Sequence, residues 1–155
     1  MTSPEETLVE LKAGQEAPAF KVEVYPHAQL DSKDLRGKKN LILAFYPKDN
    51  TPGCTAEMCA FSADLSQFES AGTAVYGVSC DNMESHEKFV AKHNLTVPLI
   101  CDADGTLGRA YGALREGRNS ANRKLFLIDR AGIIRHIHDG MPDNKELLRL
   151  ISDLK

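Results

Sequence analysis

LILAFYPKDNTPGCTAEMC, residues Leu41 to Cys59, changes character halfway along. Its first part, Leu41 to Tyr46, is an unbroken apolar run closed by Pro47, and such a run suits a strand buried on both faces of a sheet. From Thr55 onward the apolar residues recur at intervals of three and four. Met58, Phe61, Leu65 and Phe68 form a helical stripe that ends near Gly72. The next segment, TAVYGVS at 73–79, reads as a second buried strand, so the three pieces make a strand–helix–strand unit. Its right-handed crossover makes the two strands parallel, with their C-terminal ends on one edge. Cys54 and Cys80 both follow such ends, which is where α/β folds generally place their sites.

Upstream, Pro18 and Phe20 introduce the extended segment FKVEVY, and LDSKDLRGKK reads as a turn or a single helical turn closed by Gly37. Residues 1–13 carry Leu8, Val9 and Leu11 and read either as a short helix or as a loosely attached arm. Downstream, Ser85–His93 is predicted helical and VPLIC a strand. KLFLID pairs as a hairpin with IIRHIHD across the Ala131-Gly132 turn. Met141-Pro142-Asp143 opens a last helix whose apolar face is Leu147, Leu148, Ile151 and Leu154. Strands alternating with helices, then a hairpin and a closing helix, give an α/β class: a thioredoxin-like three-layer sandwich with a mixed central β-sheet. Its 155 residues are enough for one sizeable core, so residues 1–155 are expected to form a single domain.

A net charge of −3 and a longest basic patch of only Arg36–Lys39 leave no electrostatic footprint for nucleic acid. The N-terminus is acidic and lacks a secretory pattern, and LILAFY is far too short to span a bilayer, so a soluble cytoplasmic protein is expected. In that compartment four cysteines are more often reactive, ligating or buried than a disulfide framework. No CxxC pair is present, which argues against a structural zinc site. His136 and His138, two apart on one strand with no third ligand nearby, read as strand histidines, and no metal or other cofactor is expected.

Cys54 and Cys59 lie five residues apart after a Pro-Gly turn, a spacing open to a metal clamp, a buried pair or a redox couple. In a helix, positions i and i+5 point roughly 140° apart and are separated by about 7.5 Å of rise. A disulfide wants its Cα atoms within about 7 Å and its side chains facing, so an intact helix keeps these thiols apart. Cys54 falls in the first turn, where free N–H groups and the positive helix end favour a thiolate. Thr51, three residues earlier, is placed either to cap the helix or to hydrogen-bond an oxygen-bearing substrate.

FYPKDNTPGCTAEMC behind a buried strand resembles the active-site signature of the peroxiredoxins, and in particular of the peroxiredoxin Q or bacterioferritin comigratory protein group. The resemblance continues through AGQEAPAF at 13–20, LRGKKNLILAFYPKDNTPGC at 35–54, VYGVSCD at 75–81, SHEKFVAKHNLTVPLICD at 85–102, YGA at 111–113 and NRKLFLIDRAG at 122–132. It implies a thiol peroxidase in which Cys54 attacks the peroxide, Thr51 and Pro47 are its companions, and Arg123 completes the site. It also implies that Cys59 resolves the Cys54 sulfenic acid as an intrachain disulfide. The helix must then unwind locally, and thioredoxin or a similar dithiol reductant recycles the enzyme.

Cys80 is a second candidate resolver because it follows a strand end on the same sheet edge, and Cys101 reads as a structural or incidental thiol. Resolution within one chain removes the need for a partner subunit, so a monomer is expected. Leu125 stands where the group commonly has Thr or Ser, and Ser62 where an arginine is frequent. Glu57 matches a frequent family carboxylate but reads equally as a surface residue favoured by the helix dipole. Three other functions remain open at this point: a one-cysteine peroxidase, a thiol–disulfide oxidoreductase, or a redox-sensing or holdase protein switched by Cys54 oxidation.

Overall fold

A computed structural model describes residues 9–26 and 28–154. The strands are β1 (Lys21–Tyr25), β2 (Ala28–Asp31), β3 (Asn40–Phe45), β4 (Thr73–Ser79), β5 (Leu99–Cys101), β6 (Lys124–Ile128) and β7 (Ile134–Asp139). The helices are α1 (Pro52–Ser70), α2 (Met83–His93), α3 (Thr106–Ala110) and α4 (Asn144–Ser152). One seven-stranded sheet runs in the order β2-β1-β5-β4-β3-β6-β7. Strands β3, β4 and β5 are mutually parallel, and β1, β2, β6 and β7 join antiparallel, so the sheet is mixed.

Every residue of β3 is buried, and the alternation of a strand explains why. Ile42, Ala44 and Tyr46 belong to one core layer with Met58, Phe61, Phe68, Phe89, Leu147 and Ile151, brought by α1, α2 and α4. Leu41, Leu43 and Phe45 belong to the other, with Val24, Leu107, Tyr111, Phe126 and Ile134. The unbroken LILAFY run is thus the shared floor of two cores, and the three-layer α/β sandwich expected from it is present.

Helix α1 starts at Pro52, earlier than its apolar stripe suggests, because proline's fixed φ and missing N–H suit a first helical turn. Two elements escape the sequence pattern. Leu30 and Asp31 complete β2 instead of starting a turn, since Leu30 is buried opposite Val22. Asp31 then accepts a hydrogen bond from Lys33 N at 3.0 Å and opens a short 3-10 turn. The five-residue α3 is set by Asp102, whose carboxylate accepts from Leu107 N at 2.9 Å and Gly108 N at 2.8 Å. Of the expected N-terminal arm, residues 1–8 lie outside the described residues, and 9–12 join no helix or strand.

Candidate active site

Strand β3 ends in a loop, Tyr46 to Thr51, that delivers the chain to the start of α1. Thr51 has the extended backbone of an N-cap residue, and its carbonyl accepts the hydrogen bond of Thr55 N at 2.8 Å. Its side chain makes no capping hydrogen bond, and the hydroxyl donates to the Lys48 carbonyl at 2.8 Å. Cys54 is the third residue of the helix, and its thiol is buried. Pro47 is held through its carbonyl, which accepts from Ser120 Oγ at 3.3 Å.

Arg123 reaches this first turn from the residue just before β6. Its Nη2 donates to Cys54 Sγ at 3.4 Å and its Nη1 to Glu57 Oε1 at 2.6 Å. One guanidinium therefore bridges a thiol and a carboxylate that lie three residues apart on α1. Glu57 is only 2% exposed, so the surface reading of that residue is overturned in favour of the paired one. Burial raises the Glu57 carboxyl to about 7 against the pull of Arg123, which lowers it. Burial also works against the Arg123 charge, but the hydrogen bonds and charges of Glu57 and Cys54 outweigh it and push its pKa up.

Two neighbours of this contact were not signalled by the sequence. At Gly53 an added Cβ would lie 2.9 Å from Arg123 Nη2, so the absence of a side chain lets the guanidinium approach the helix. Met141 is 49% exposed and places its methyl 4.0 Å from that same Cβ position, forming an apolar rim beside Arg123. Its carbonyl is held by His138 Nε2 at 2.9 Å.

Beneath the loop lies a buried polar network that sequence reasoning also missed. Asp49 accepts from Tyr46 Oη at 2.7 Å on one carboxylate oxygen, and from Ser85 Oγ at 2.8 Å and His86 Nδ1 at 2.7 Å on the other. The second His86 nitrogen faces the Ile100 carbonyl at 2.9 Å. Asp49 N donates to Asp81 Oδ2 at 2.9 Å, which also accepts from Ser79 Oγ at 2.7 Å. The available signal was the position of His86 on the same helical stripe as Phe89 and His93, a polar residue at a buried place.

All four thiols are free. Cys59 lies on α1 with Cys54, half-buried against the core layer of Phe61 and Phe68, and the intact helix keeps the pair separated. Cys80 follows β4, and its thiol is pushed up to about 11 by burial first, then by Asp102 and Asp81, with Arg109 opposing and Asp104 adding. Cys101 closes β5 and points its thiol at Met83 Sδ, 3.7 Å away. Leu125 is a buried core residue paired with Ala44, so at that place packing stands where a hydroxyl is common. His136 and His138 stack with ring centroids 6.2 Å apart, and no group of three or more potential metal ligands occurs among the described residues. No helix among those residues is long and apolar enough to cross a membrane.

The AhpC/TSA family model matches residues 13–137. The putative peroxiredoxin bcp of Coxiella burnetii is 42% identical over 130 residues, covering 80% of this chain and 85% of the relative. The peroxiredoxin Bcp of Bacillus subtilis is 35% identical over 128 residues, covering 79% and 81%. Among solved structures, a Cys-to-Ser mutant of PrxQ from Xylella fastidiosa superposes with a TM-score of 0.85 at 29% identity, over 93% of this chain and 97% of that one.

Proposed function

We propose, for a chain that belongs to the AhpC/TSA family and to the peroxiredoxin Q or bacterioferritin comigratory protein group within it, that Cys54 reduces hydrogen peroxide and organic hydroperoxides and that Cys59 resolves the product. The family is one of thiol peroxidases, which act on peroxides and are reduced by thiols. The observation that carries the assignment of Cys54 is the Arg123 Nη2 to Cys54 Sγ contact of 3.4 Å at the start of α1.

The Cys54 thiolate attacks the terminal oxygen of ROOH. An S–O bond forms as the O–O bond breaks, sulfur is oxidised to Cys–SOH, and the alkoxide leaves with the electron pair and takes a proton to become ROH. Arg123 stabilises the thiolate and the charge that develops on the departing oxygen. Because the Thr51 hydroxyl proton is committed to the Lys48 carbonyl, Thr51 meets the peroxide as an acceptor for its O–H. Pro47, with no N–H of its own, lines the approach and helps to exclude water.

The Cys59 thiolate then attacks Cys54 Sγ, forming the S–S bond as the S–O bond breaks, and the departing hydroxide takes a proton to become water. The first turns of α1 unwind for this step, since the helix holds the two residues apart. Cys80 is the weaker resolver, because a thiol raised to about 11 yields little thiolate. Thioredoxin or a similar dithiol returns the pair to thiols, and the protein works as a cytoplasmic monomer. Peptide mapping under non-reducing conditions after one equivalent of peroxide tests the cycle: a Cys54–Cys59 bridge is expected, and a Cys54–Cys80 bridge overturns the assignment of the resolver. Peroxide turnover that survives Cys54→Ser overturns the function itself.

A further inference from the structure

The loop between β3 and α1 carries Pro47 and Thr51, and a buried ion pair sits directly under it. Asp49 has a carboxylate surrounded by three donors, the Tyr46 hydroxyl, the Ser85 hydroxyl and the His86 ring, at 2.7, 2.8 and 2.7 Å. His86 is fully buried, and both of its nitrogens face acceptors, a carboxylate oxygen of Asp49 and the carbonyl oxygen of Ile100. A neutral imidazole has one N–H and one lone pair, so it would set that lone pair against an oxygen at one of these two contacts. An imidazolium satisfies both. The remaining polar neighbours are the Cys101 side chain from β5 and, one step further out, Asp81, which accepts from Asp49 N.

We propose that Asp49 and His86, whose ring is held at both nitrogens, are positioning residues of the peroxidase site, clamping the Pro47–Thr51 loop to the start of α2 and to the end of β5 so that Thr51 meets peroxide at Cys54. The reading rests on the peroxidase function above. Each residue of the loop has its own tie. Pro47 is held to Ser120 and Lys48 to Thr51, while Asn50, in the left-handed region at φ 65°, bonds His93 at 3.3 Å. Asp49 differs from these in having both its backbone N–H and its side chain anchored inside the protein. Because buried hydrogen bonds to charged groups are short and strong, this is the tie that fixes where the loop sits. Displacement of a reacting group's partner by about 1 Å is enough to cost up to ~100-fold in rate.

The test compares two reactions of the same thiol. Hydrogen peroxide needs Thr51 and Pro47 in place, whereas alkylation by iodoacetamide needs only an accessible Cys54 thiolate. In His86→Gln, folded as judged by circular dichroism, the rate of Cys54 oxidation by hydrogen peroxide should fall ~10-fold to ~100-fold while alkylation stays within about twofold of wild type. Equal losses in both reactions, or no loss in either, overturn the proposal. Should His86→Gln not fold, Asp49→Asn is measured in the same way and read by the same outcomes. A readout independent of activity is the nitrogen-15 spectrum of the wild-type histidines. His86 should show two protonated ring nitrogens at a pH about two units above the ordinary histidine value, and a neutral tautomer there overturns the clamp. Loss of peroxide turnover in Cys54→Ser tests the function separately, so the clamp can fail while the peroxidase reading stands.

Discussion

Adding one methyl group at Gly53 should separate stability from activity in this protein. Gly53 lies in the first turn of α1 and is absent from the left-handed glycines, so Ala is compatible with its backbone and with helix propensity. That propensity favours Ala over Gly by up to about 1 kcal/mol. The new Cβ, however, would lie 2.9 Å from Arg123 Nη2 and 3.5 Å from Arg123 Cζ. An unstrained contact needs about 3.5 Å, so the guanidinium must retreat by roughly 0.6 Å. Since the clash is with the end of a flexible side chain, retreat is cheap for folding, and the change in stability should stay within about 1 kcal/mol of zero.

At the active site the same retreat stretches the 3.4 Å contact to Cys54 Sγ to as much as about 4 Å, the outer limit of a hydrogen bond to sulfur, where little of its strength remains. A hydrogen bond to a charged group contributes about 1.5–3 kcal/mol, and each 1.4 kcal/mol is a factor of about ten in rate. Single-turnover oxidation of Cys54 by hydrogen peroxide, followed by stopped flow, should therefore slow by ~10-fold to ~100-fold in Gly53→Ala. A double-mutant cycle removes the ambiguity. In an Arg123→Ala background Gly53→Ala should cost nothing further, because the group it displaces is gone. A Gly53→Ala protein within about twofold of wild type, or a full and additive loss in the Arg123→Ala background, would refute the claim that this contact drives catalysis.

Other expected outcomes concern packing, protons and the second thiol. Gly77→Ala should destabilise by about 1–3 kcal/mol in urea denaturation, since its Cβ would meet Met58 Sδ at 2.6 Å, Leu99 Cδ2 at 2.8 Å and Tyr46 Cε1 at 3.2 Å inside a close-packed layer. Burial raises Glu57 from 4.5 to about 7, and for His86, where burial works the other way, the hydrogen bond to Asp49 leads a raise from 6.5 to about 10. Both folded values exceed the unfolded ones, so each contribution to stability is full below the unfolded value and is lost as pH rises through the folded one. Urea midpoints measured against pH should thus fall between about 4.5 and 7 through Glu57 and between about 6.5 and 10 through His86. Glu57→Gln should flatten the first window and His86→Gln the second; unchanged slopes would reject the assignments. Cys59→Ser should keep the first oxidation of Cys54 by peroxide and lose the intrachain bridge. Excess peroxide should then add a second oxygen to Cys54, read by mass spectrometry.

The parts of the fold that were legible in the sequence are those whose physics is local. LILAFY announces a doubly buried strand, and the stripe Met58, Phe61, Leu65, Phe68 announces a helix packed on it. Elements fixed by single polar contacts leave no periodic trace. The short α3 depends on the Asp102 carboxylate, and the end of β2 depends on one buried leucine. The site divides in the same way. Cys54 and Thr51 are close in sequence, but Arg123 is 69 residues from Cys54, and only the family resemblance joined them before the structure did. Glu57 was ambiguous because a glutamate near the start of a helix suits the helix dipole. Its place four residues before Phe61 on the buried stripe was the deciding clue. Asp49 and His86 have no spacing relation at all, since their pairing exists only once β3, β5 and α2 meet.

Helix α1 consists of two parts with different attachments, and that division bears on the proposed disulfide step. From Phe61 onward it is tied down. The Phe61 and Phe68 rings pack 5.8 Å apart in the core, Ser62 Oγ accepts from Thr96 N at 2.9 Å and Val97 N at 3.1 Å, and Asp64 accepts from Asn144 Nδ2 at 3.0 Å. The serine that stands where an arginine is frequent in the group is therefore an anchor in its own right. Before Phe61, the polar ties are those of Arg123 to Cys54 and Glu57 and the helix's own hydrogen bonds, with Met58 as the buried apolar side chain. Oxidation of Cys54, as proposed, would act on this weaker part. In the proposed cycle it would put a larger sulfenic acid in place of the sulfur that Arg123 contacts, in a fully buried position, so volume is added at that contact. Cys59 lies two residues before the first anchored ring, the last thiol in the releasable segment. In the proposed cycle the anchored part would limit how far the unwinding runs, keeping the length of α1 that must refold after reduction to its first turns.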